Sequence, residues 1–443
     1  MNNELDLLIS KSNEAQLIFE KISNKEINRL IESISSKILN KKTNRYLSQL
    51  AVDETKFGNV IDKMSKNFHK TKNLLNDLKN IKTNIPIYDK KNNLVMILKP
   101  IGVICGATPS TNPIATALNY IINSIKCRNS IIICPNPRTY KTSSELIKLV
   151  KEEIKKLNFP ANLVNIAPKD IIRNDEIINL FNKCDLNIVT GNKTIISRVS
   201  KCRKPFLTFG VGNPPIIIED DANLSFAAKS IIISKSFDNS TSCSADSVLI
   251  VNRKIYKNFI KILKNEGLYI LNDNEKKLLD DIYFIKGIIN PKLIAKSAND
   301  ILKYLNVRNK YIKKIIGYEF LPSNKDHYIL NEKILPLVGI TKFEKFGEAI
   351  EIASSVLKIN GLGHSAGIYT YRKKNILKLG LELKVSRVLV NQPHSKSAGG
   401  SKNNSLKTTL SLGCGIWGNN IINDNLHYIN FCNLTKLAYE KNL

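Results

Sequence analysis

No stretch of this 443-residue chain stays apolar over the ~20 residues that a bilayer-spanning helix needs. Residues 1–10 lack a basic segment followed by a long apolar core, so no secretory signal is expected. The eight cysteines, at positions 105, 127, 134, 184, 202, 243, 414 and 432, form no CxxC pair, and the five histidines offer no zinc-ligand spacing. Neither a metal site nor a disulfide framework is therefore expected. Reduced thiols in a cytoplasmic protein are. GxGxxG is absent, which argues against a standard Rossmann dehydrogenase. Acidic residues are in deficit, 38 against 67 Lys and Arg, for a formal charge of +29. Such a charge suits nucleic acid or an anionic surface. The lysines, however, are spread through the predicted helices and not gathered into one arm with aromatics. Together with abundant Asn and Ile, this reads as compositional drift in an AT-rich coding sequence. Neither nucleic acid nor a membrane is expected as partner, although a basic surface would still attract phosphate-bearing cofactors or anionic substrates.

What is present is a globular composition, 43% hydrophobic, and length enough for two or three domains. Apolar residues recur at helical spacing from residue 3 to about 80, as in Ile27, Leu30, Ile31 and Ile34. Within this stretch, Ala51–Gly58 and the following Asp62, Lys63, Lys66 and Asn67 read on their own as a solvated helix pair. Ile85–Tyr88 and Leu94–Leu98 flank a polar turn and predict a hairpin that must pack on something else. Strands and helices then alternate. An apolar strand runs into Thr108-Pro109-Ser110-Thr111-Asn112-Pro113 and a helix from Ile114. Another ends at Pro135-Asn136-Pro137-Arg138, followed by a helix over 142–157, a strand over 163–166 and a helix over 174–183. A further strand ends at Thr190-Gly191-Asn192, where the amides opening the next helix could hold a pyrophosphate. Repeated βα units predict an α/β fold with a mostly parallel sheet and ligands at its carboxyl ends. From about 252 to 325 the chain is helix-rich and Lys-rich, without evident chemistry.

Cys243 lies in Ser240-Thr241-Ser242-Cys243-Ser244-Ala245, a small, polar segment just before the apolar run Val248–Val251. Two readings are open: a small buried hydrophobe, which cysteine often is, or a thiol placed for chemistry. Cys414, between Gly413 and Gly415, is the rival thiol.

Phe237-Asp238-Asn239, a few small residues and then Cys243 resemble the nucleophile segment of the CoA-acylating branch of the aldehyde dehydrogenase family. Other segments agree in order over about residues 45–440: Ala51–Asn67, Thr108–Pro113, Arg128–Arg138, Asn331–Pro336 (with Leu335 where the family has Gly), Gly361-Leu362-Gly363-His364 and Ser411–Gly418. The resemblance implies the aldehyde dehydrogenase fold. That means a Rossmann-like cofactor domain (1–84 and 101–212), an α/β catalytic domain (213–412) and an oligomerisation hairpin and tail (85–100 and 421–443), in a homo-dimer or tetramer. It implies Cys243 as nucleophile and Asn112 as donor to the developing oxyanion. Cys414 falls to structure. His364 is either a base for the incoming thiol or a structural hydrogen-bonder. NAD or NADP would be held by Thr108, Pro109, Ser110, Thr111, Pro135, Arg138, Thr190, Gly191, Asn192, Gly210, Gly212 and Glu332, with Arg138 or Lys141 facing a 2′-phosphate. Hydrolytic relatives carry a water-activating Glu near the position of Phe209, and Phe206–Pro215 contains no carboxylate. A thioacyl enzyme would then wait for a better nucleophile, the thiol of coenzyme A.

Thr108–Pro113 and Val390-Asn391-Gln392-Pro393-His394 look most like the sulfoacetaldehyde dehydrogenases (acylating) of that branch, which implies sulfoacetaldehyde as the small aldehyde. Ser240, Thr241, Ser242, His394 and Lys396 are then the candidate sulfonate contacts. The alternative substrate is acetaldehyde or propionaldehyde, as in the acetaldehyde half of the bifunctional aldehyde–alcohol dehydrogenases. No iron-alcohol dehydrogenase domain follows here, so a stand-alone enzyme is expected. Acyl-phosphate reduction is disfavoured by the Gly-His and Gly-Cys-Gly-x-Trp-Gly segments. A basic RNA-binding protein on an inactive enzyme fold would rest on charge alone.

Overall fold

The computed structural model describes residues 3–89, 91–285, 288–307, 312–321 and 327–440. Four helices open the chain: Asn3–Phe19, Asn24–Leu39, Lys41–Thr55 and Val60–Leu78. The second starts at a reciprocal cap, with Ser23 and Glu26 satisfying each other's backbone N–H groups. It buries Ile27, Leu30, Ile31, Ile34 and Ile38 along one stripe, as the helical period requires. The fourth helix departs from expectation. Its inward face carries Lys63, Lys66 and Asn67 before it turns apolar at Leu74 and Leu78. The segment that reads as a solvated pair is therefore packed inside the molecule, with its lysines turned toward other charges.

The βα alternation builds two wholly parallel sheets. The first has five strands in the order Val164–Ile166, Ser130–Pro135, Val103–Thr108, Leu186–Thr190 and Phe206–Phe209. Its central strands are buried along their whole length, because helices cover both faces. The helix Pro113–Lys126 is buried on every side. The second sheet has seven strands, in the order Leu268–Ile270, Ile315–Glu319, Leu337–Phe343, Val248–Asn252, Pro215–Ile218, Ala366–Tyr369 and Val388–Val390. Two of these lie in the 252–325 region that reads as mainly helical. The predicted hairpin, Pro86–Asp89 with Leu94–Pro100, is joined by the late strand Cys432–Ala438 in an antiparallel three-stranded sheet. The hairpin thus finds its partner more than 330 residues away in its own chain. No helix among the described residues is long and apolar enough to cross a membrane.

Candidate active site

The segment leading to Cys243 is built around one buried carboxylate. After the helix Leu224–Ser236 the backbone takes three consecutive left-handed residues, Asp238 (φ 51°), Asn239 (φ 51°) and Ser240 (φ 64°). Each such residue costs roughly 1–2 kcal/mol for an L-amino acid, least for Asp and Asn, so outside contacts must hold the turn. They come from the fourth helix and its cap. Asp238 is fully buried. Its Oδ2 accepts from Lys66 Nζ (2.6 Å), Lys63 Nζ (3.1 Å) and Thr241 Oγ1 (2.7 Å). Its Oδ1 accepts from the Asn59 amide (3.0 Å), and its own N–H donates to Asp62 Oδ2 (2.8 Å). Gly58 makes room for this, since a Cβ there would fall 1.8 Å from Asp238 Oδ1. Burial by itself would raise the Asp238 pKa, but the Lys66 and Lys63 charges override it and hold the carboxyl below its ordinary value.

The same lysine sets Asn112. Lys66 Nζ donates to Asn112 Oδ1 at 2.6 Å. An ammonium only donates, so the amide oxygen is fixed on the lysine side and the Nδ2 end is the donor left over. Asn112 and Cys243 line one cavity of about 290 Å³, together with Lys66, His69, Lys70 and Lys396. Its walls carry no Asp or Glu among the described residues. Cys414 lies elsewhere, 1% exposed, its thiol bonded to the Leu412 carbonyl.

Behind the sulfur stands a chain of hydrogen bonds. His364 Nε2 is 3.4 Å from Cys243 Sγ, its Nδ1 is 2.8 Å from Ser365 Oγ, and that hydroxyl is 2.9 Å from His394 Nε2. Arg387 locks the segment by donating to the carbonyls of His364 and Gly413, both at 2.7 Å. Burial, then the Arg387 charge, pushes the His364 pKa well below its ordinary value, and the same two causes bring His394 to about 3. Both rings rest neutral, so His364 can accept a proton. Gly212 is required here, because a Cβ would sit 1.9 Å from the Cys243 carbonyl oxygen and 2.9 Å from the His364 ring.

The expected cofactor residues fall into two groups. Thr108, Pro109, Pro135, Thr190, Gly191 and Asn192 line a second cavity of about 180 Å³ at the carboxyl ends of the five-stranded sheet. Thr108 Oγ1 is buried without a hydrogen-bond partner, as a site built to receive a polar ligand would leave it. Gly210, Gly212 and Glu332 lie by the catalytic loop instead. Gly210 faces the Cys414 sulfur, and Gly212 N–H donates to Glu332 Oε1 at 3.3 Å. Ser110 and Thr111 stand in the turn between the two cavities, where the Thr111 carbonyl accepts from Lys63. Arg138 is exposed and outside the second cavity, whose arginines are Arg173 and Arg198.

The sequence profile of the aldehyde dehydrogenase family matches residues 2–272. The sulfoacetaldehyde dehydrogenase (acylating) of Cupriavidus necator is 31% identical over 97% of this chain and 88% of that one.

This chain belongs to the aldehyde dehydrogenase family.

The succinate-semialdehyde dehydrogenase (acetylating) of Clostridium kluyveri is also 31% identical, over 99% of this chain and 97% of its own. Among solved structures, an acetylating aldehyde dehydrogenase from Geobacillus thermoglucosidasius superposes with a TM-score of 0.93 at 29% identity, covering 99% of this chain and 96% of that one. The fold is thus the aldehyde dehydrogenase fold, and the branch is the CoA-acylating one.

Several residues of this aldehyde dehydrogenase's site escape a reading of the sequence. Lys63, Lys66, Lys70, Ser365 and Arg387 are among them. The one available signal was polar residues at i, i+3, i+4 and i+7 on a helix whose later turns are apolar. Of the candidate sulfonate contacts, Ser242 and Lys396 line the cavity; Ser240, Thr241 and His394 do not. Thr241 is spent on Asp238, and His394 on Ser365.

Glu332 gives a test of the electrostatics. Burial pushes its pKa up to about 7, against the Gly212 N–H and the Lys235 and Lys333 charges. Burial first, then the Glu332 and Cys414 charges, drives the Cys243 thiol up to about 12. Glu332→Gln removes one of those charges, so alkylation of Cys243 by iodoacetamide at alkaline pH speeds up, by about threefold or more. The difference from wild type closes below pH about 7, where Glu332 is itself protonated.

Proposed function

We propose that this acylating aldehyde dehydrogenase oxidises sulfoacetaldehyde to its acyl-CoA with NAD or NADP, through a thioacyl enzyme on Cys243. The observation that carries the reading is the cavity in which a cysteine backed by a neutral histidine faces an amide donor and several lysines, without any carboxylate. His364 takes the Cys243 proton at Nε2 as the sulfur adds to the aldehyde carbon. The oxyanion so formed is met by Asn112 Nδ2, whose orientation Lys66 sets, and by the Cys243 backbone amide. Ser365 and His394 keep the His364 ring in line with the sulfur.

In this reading the dinucleotide binds at the cavity around Thr108, Pro135 and Asn192, where the unpartnered Thr108 hydroxyl offers a donor or acceptor, and Glu332, beside Gly212, holds its nicotinamide ribose. When bound it supplies the hydride acceptor. The His364 imidazolium first returns its proton to solvent. Deacylation then falls to the thiol of coenzyme A, whose sulfur takes the acyl carbon as the Cys243 sulfur departs, with His364 passing the proton from one to the other. Glu332 is the carboxylate nearest this chemistry, and it approaches from the Gly212 side, outside the cavity wall. A water entering from the cavity therefore meets no carboxylate on its wall, among the described residues.

A homo-oligomer is part of this proposal. The three-stranded sheet exposes Tyr88, Leu434 and Leu437 side chains, which a partner subunit would cover. A cytoplasmic location follows from the reduced thiol that the chemistry needs.

The experiment is nicotinamide reduction followed by absorbance with sulfoacetaldehyde or acetaldehyde, NAD or NADP, each with and without CoA. Turnover with sulfoacetaldehyde that requires CoA is expected. Turnover with acetaldehyde alone would remove the sulfonate from the proposal. Sustained turnover without CoA would mean that water deacylates the enzyme.

A further inference from the structure

Four lysines line the Cys243 cavity: Lys66, Lys70, Lys396 and Lys402. Three are accounted for. Lys66 is paired with Asp238. Lys396 and Lys402 are exposed at the mouth, and Lys396 lies over the Phe237 ring at 4.5 Å. Lys70 differs. It is half-buried, one helical turn beyond Lys66 on the same face, and makes no ion pair among the described residues. Its Nζ donates to the carbonyls of Gly399 (2.7 Å) and Gly400 (2.9 Å), on the loop that forms the opposite wall. An ammonium carries three N–H donors, so two are spent anchoring it and one remains. A cation partly out of water and without a direct ion pair is costly. Burial, and then the Lys66 charge, lower the Lys70 pKa to about 8, while Asp77 and the Cys243 sulfur act against the shift.

We propose that Lys70 anchors an anionic group at the far end of the substrate, so that the enzyme's substrates are short aldehydes ending in a sulfonate or carboxylate. This rests on the acylating reading above. The two carbonyls fix the ammonium, and the remaining N–H makes a charge-assisted bond to one oxygen of the anion. The aldehyde carbon at the other end then reaches the Cys243 sulfur. The anion would supply the direct ion pair that Lys70 lacks, and its recognition would rest on one fixed cation instead of the mobile lysines at the mouth.

The test compares wild type, Lys70→Met and Lys70→Arg with sulfoacetaldehyde, succinate semialdehyde and propionaldehyde, all with CoA. In Lys70→Met the ratio of kcat/KM for the two anionic aldehydes to that for propionaldehyde is expected to fall about 30-fold, through KM. Lys70→Arg should recover most of the ratio. An equal loss on all three aldehydes would overturn the proposal. So would a rise in KM for CoA measured with propionaldehyde, because Lys70 would then serve a CoA phosphate. A fall with one anion only, sulfonate or carboxylate, would support the anchor and name its ligand. If wild type turns over none of the three, the acylating reading fails, and the anion site is still tested by protection. Ethanesulfonate and butyrate should slow alkylation of Cys243 by iodoacetamide in wild type and not in Lys70→Met. Absence of protection in wild type would overturn the proposal on its own.

Discussion

Cys243→Ala abolishes CoA-dependent cofactor reduction, by about 10⁴-fold or more, as removal of a covalent nucleophile does elsewhere. The thiol stands in the cavity with Asn112, and His364 Nε2, the proposed proton acceptor, is 3.4 Å from its sulfur. Among the described residues no second cysteine lines that cavity: Cys414 is buried and its thiol is bonded to the Leu412 carbonyl. Because Cys243 is only partly buried, the variant should keep its thermal midpoint and its dinucleotide affinity, read by protein fluorescence. The same fall in turnover from Cys414→Ala, with Cys243→Ala retaining more than about one hundredth of wild-type activity, would transfer the role to the other thiol.

Asp238→Ala should be the most destabilising change near the site. It leaves the Lys63 and Lys66 ammonium groups in the interior without their counter-charge. Breaking a buried pair in this way costs about 3–5 kcal/mol, a large part of the ~5–15 kcal/mol that a folded domain holds in reserve. It also frees Lys66 from its present geometry, and with it Asn112, so activity falls together with stability. Urea unfolding and turnover measured on the same preparation check both. A double variant, Asp238→Asn with Lys63→Met, should recover part of the lost stability by removing one stranded charge. An unfolding free energy within about 0.5 kcal/mol of wild type for Asp238→Ala would show that the three left-handed residues are held by something else. The pH dependence has a definite sign. The folded-state carboxyl is held below its ordinary value, so its stabilisation is complete above about pH 4 and is lost as pH falls through the lowered value.

Much of this architecture could be read from the chain. Period-3.6 stripes such as Ile27–Ile38 can be buried in only one way. Continuous apolar strands alternating with helices are what the covered interior of a parallel sheet requires. Those patterns are local, so they survive without knowledge of the fold. Cys243 stood out for a related reason, since a thiol among small polar residues before a buried strand has little packing to do. His364 and Glu332 depended on recognising motifs, because a single histidine or carboxylate carries no period.

What the sequence by itself determined was an α/β class of alternating strands and helices with parallel pairing, and, through its motifs, the acylating branch and Cys243 as the candidate nucleophile. The tertiary structure decided which charges meet. Lys63, Lys66 and Lys70 are three among dozens of lysines, indistinguishable until the helix Val60–Leu78 turns them inward against Asp238, Asn112 and the loop at Gly399. The Cys243–His364–Ser365–His394 chain likewise joins segments 121 and 29 residues apart in sequence. Electrostatic energy depends on distance and on exclusion of water. Neither is a property of neighbours in sequence, so both appear only when the chain is folded.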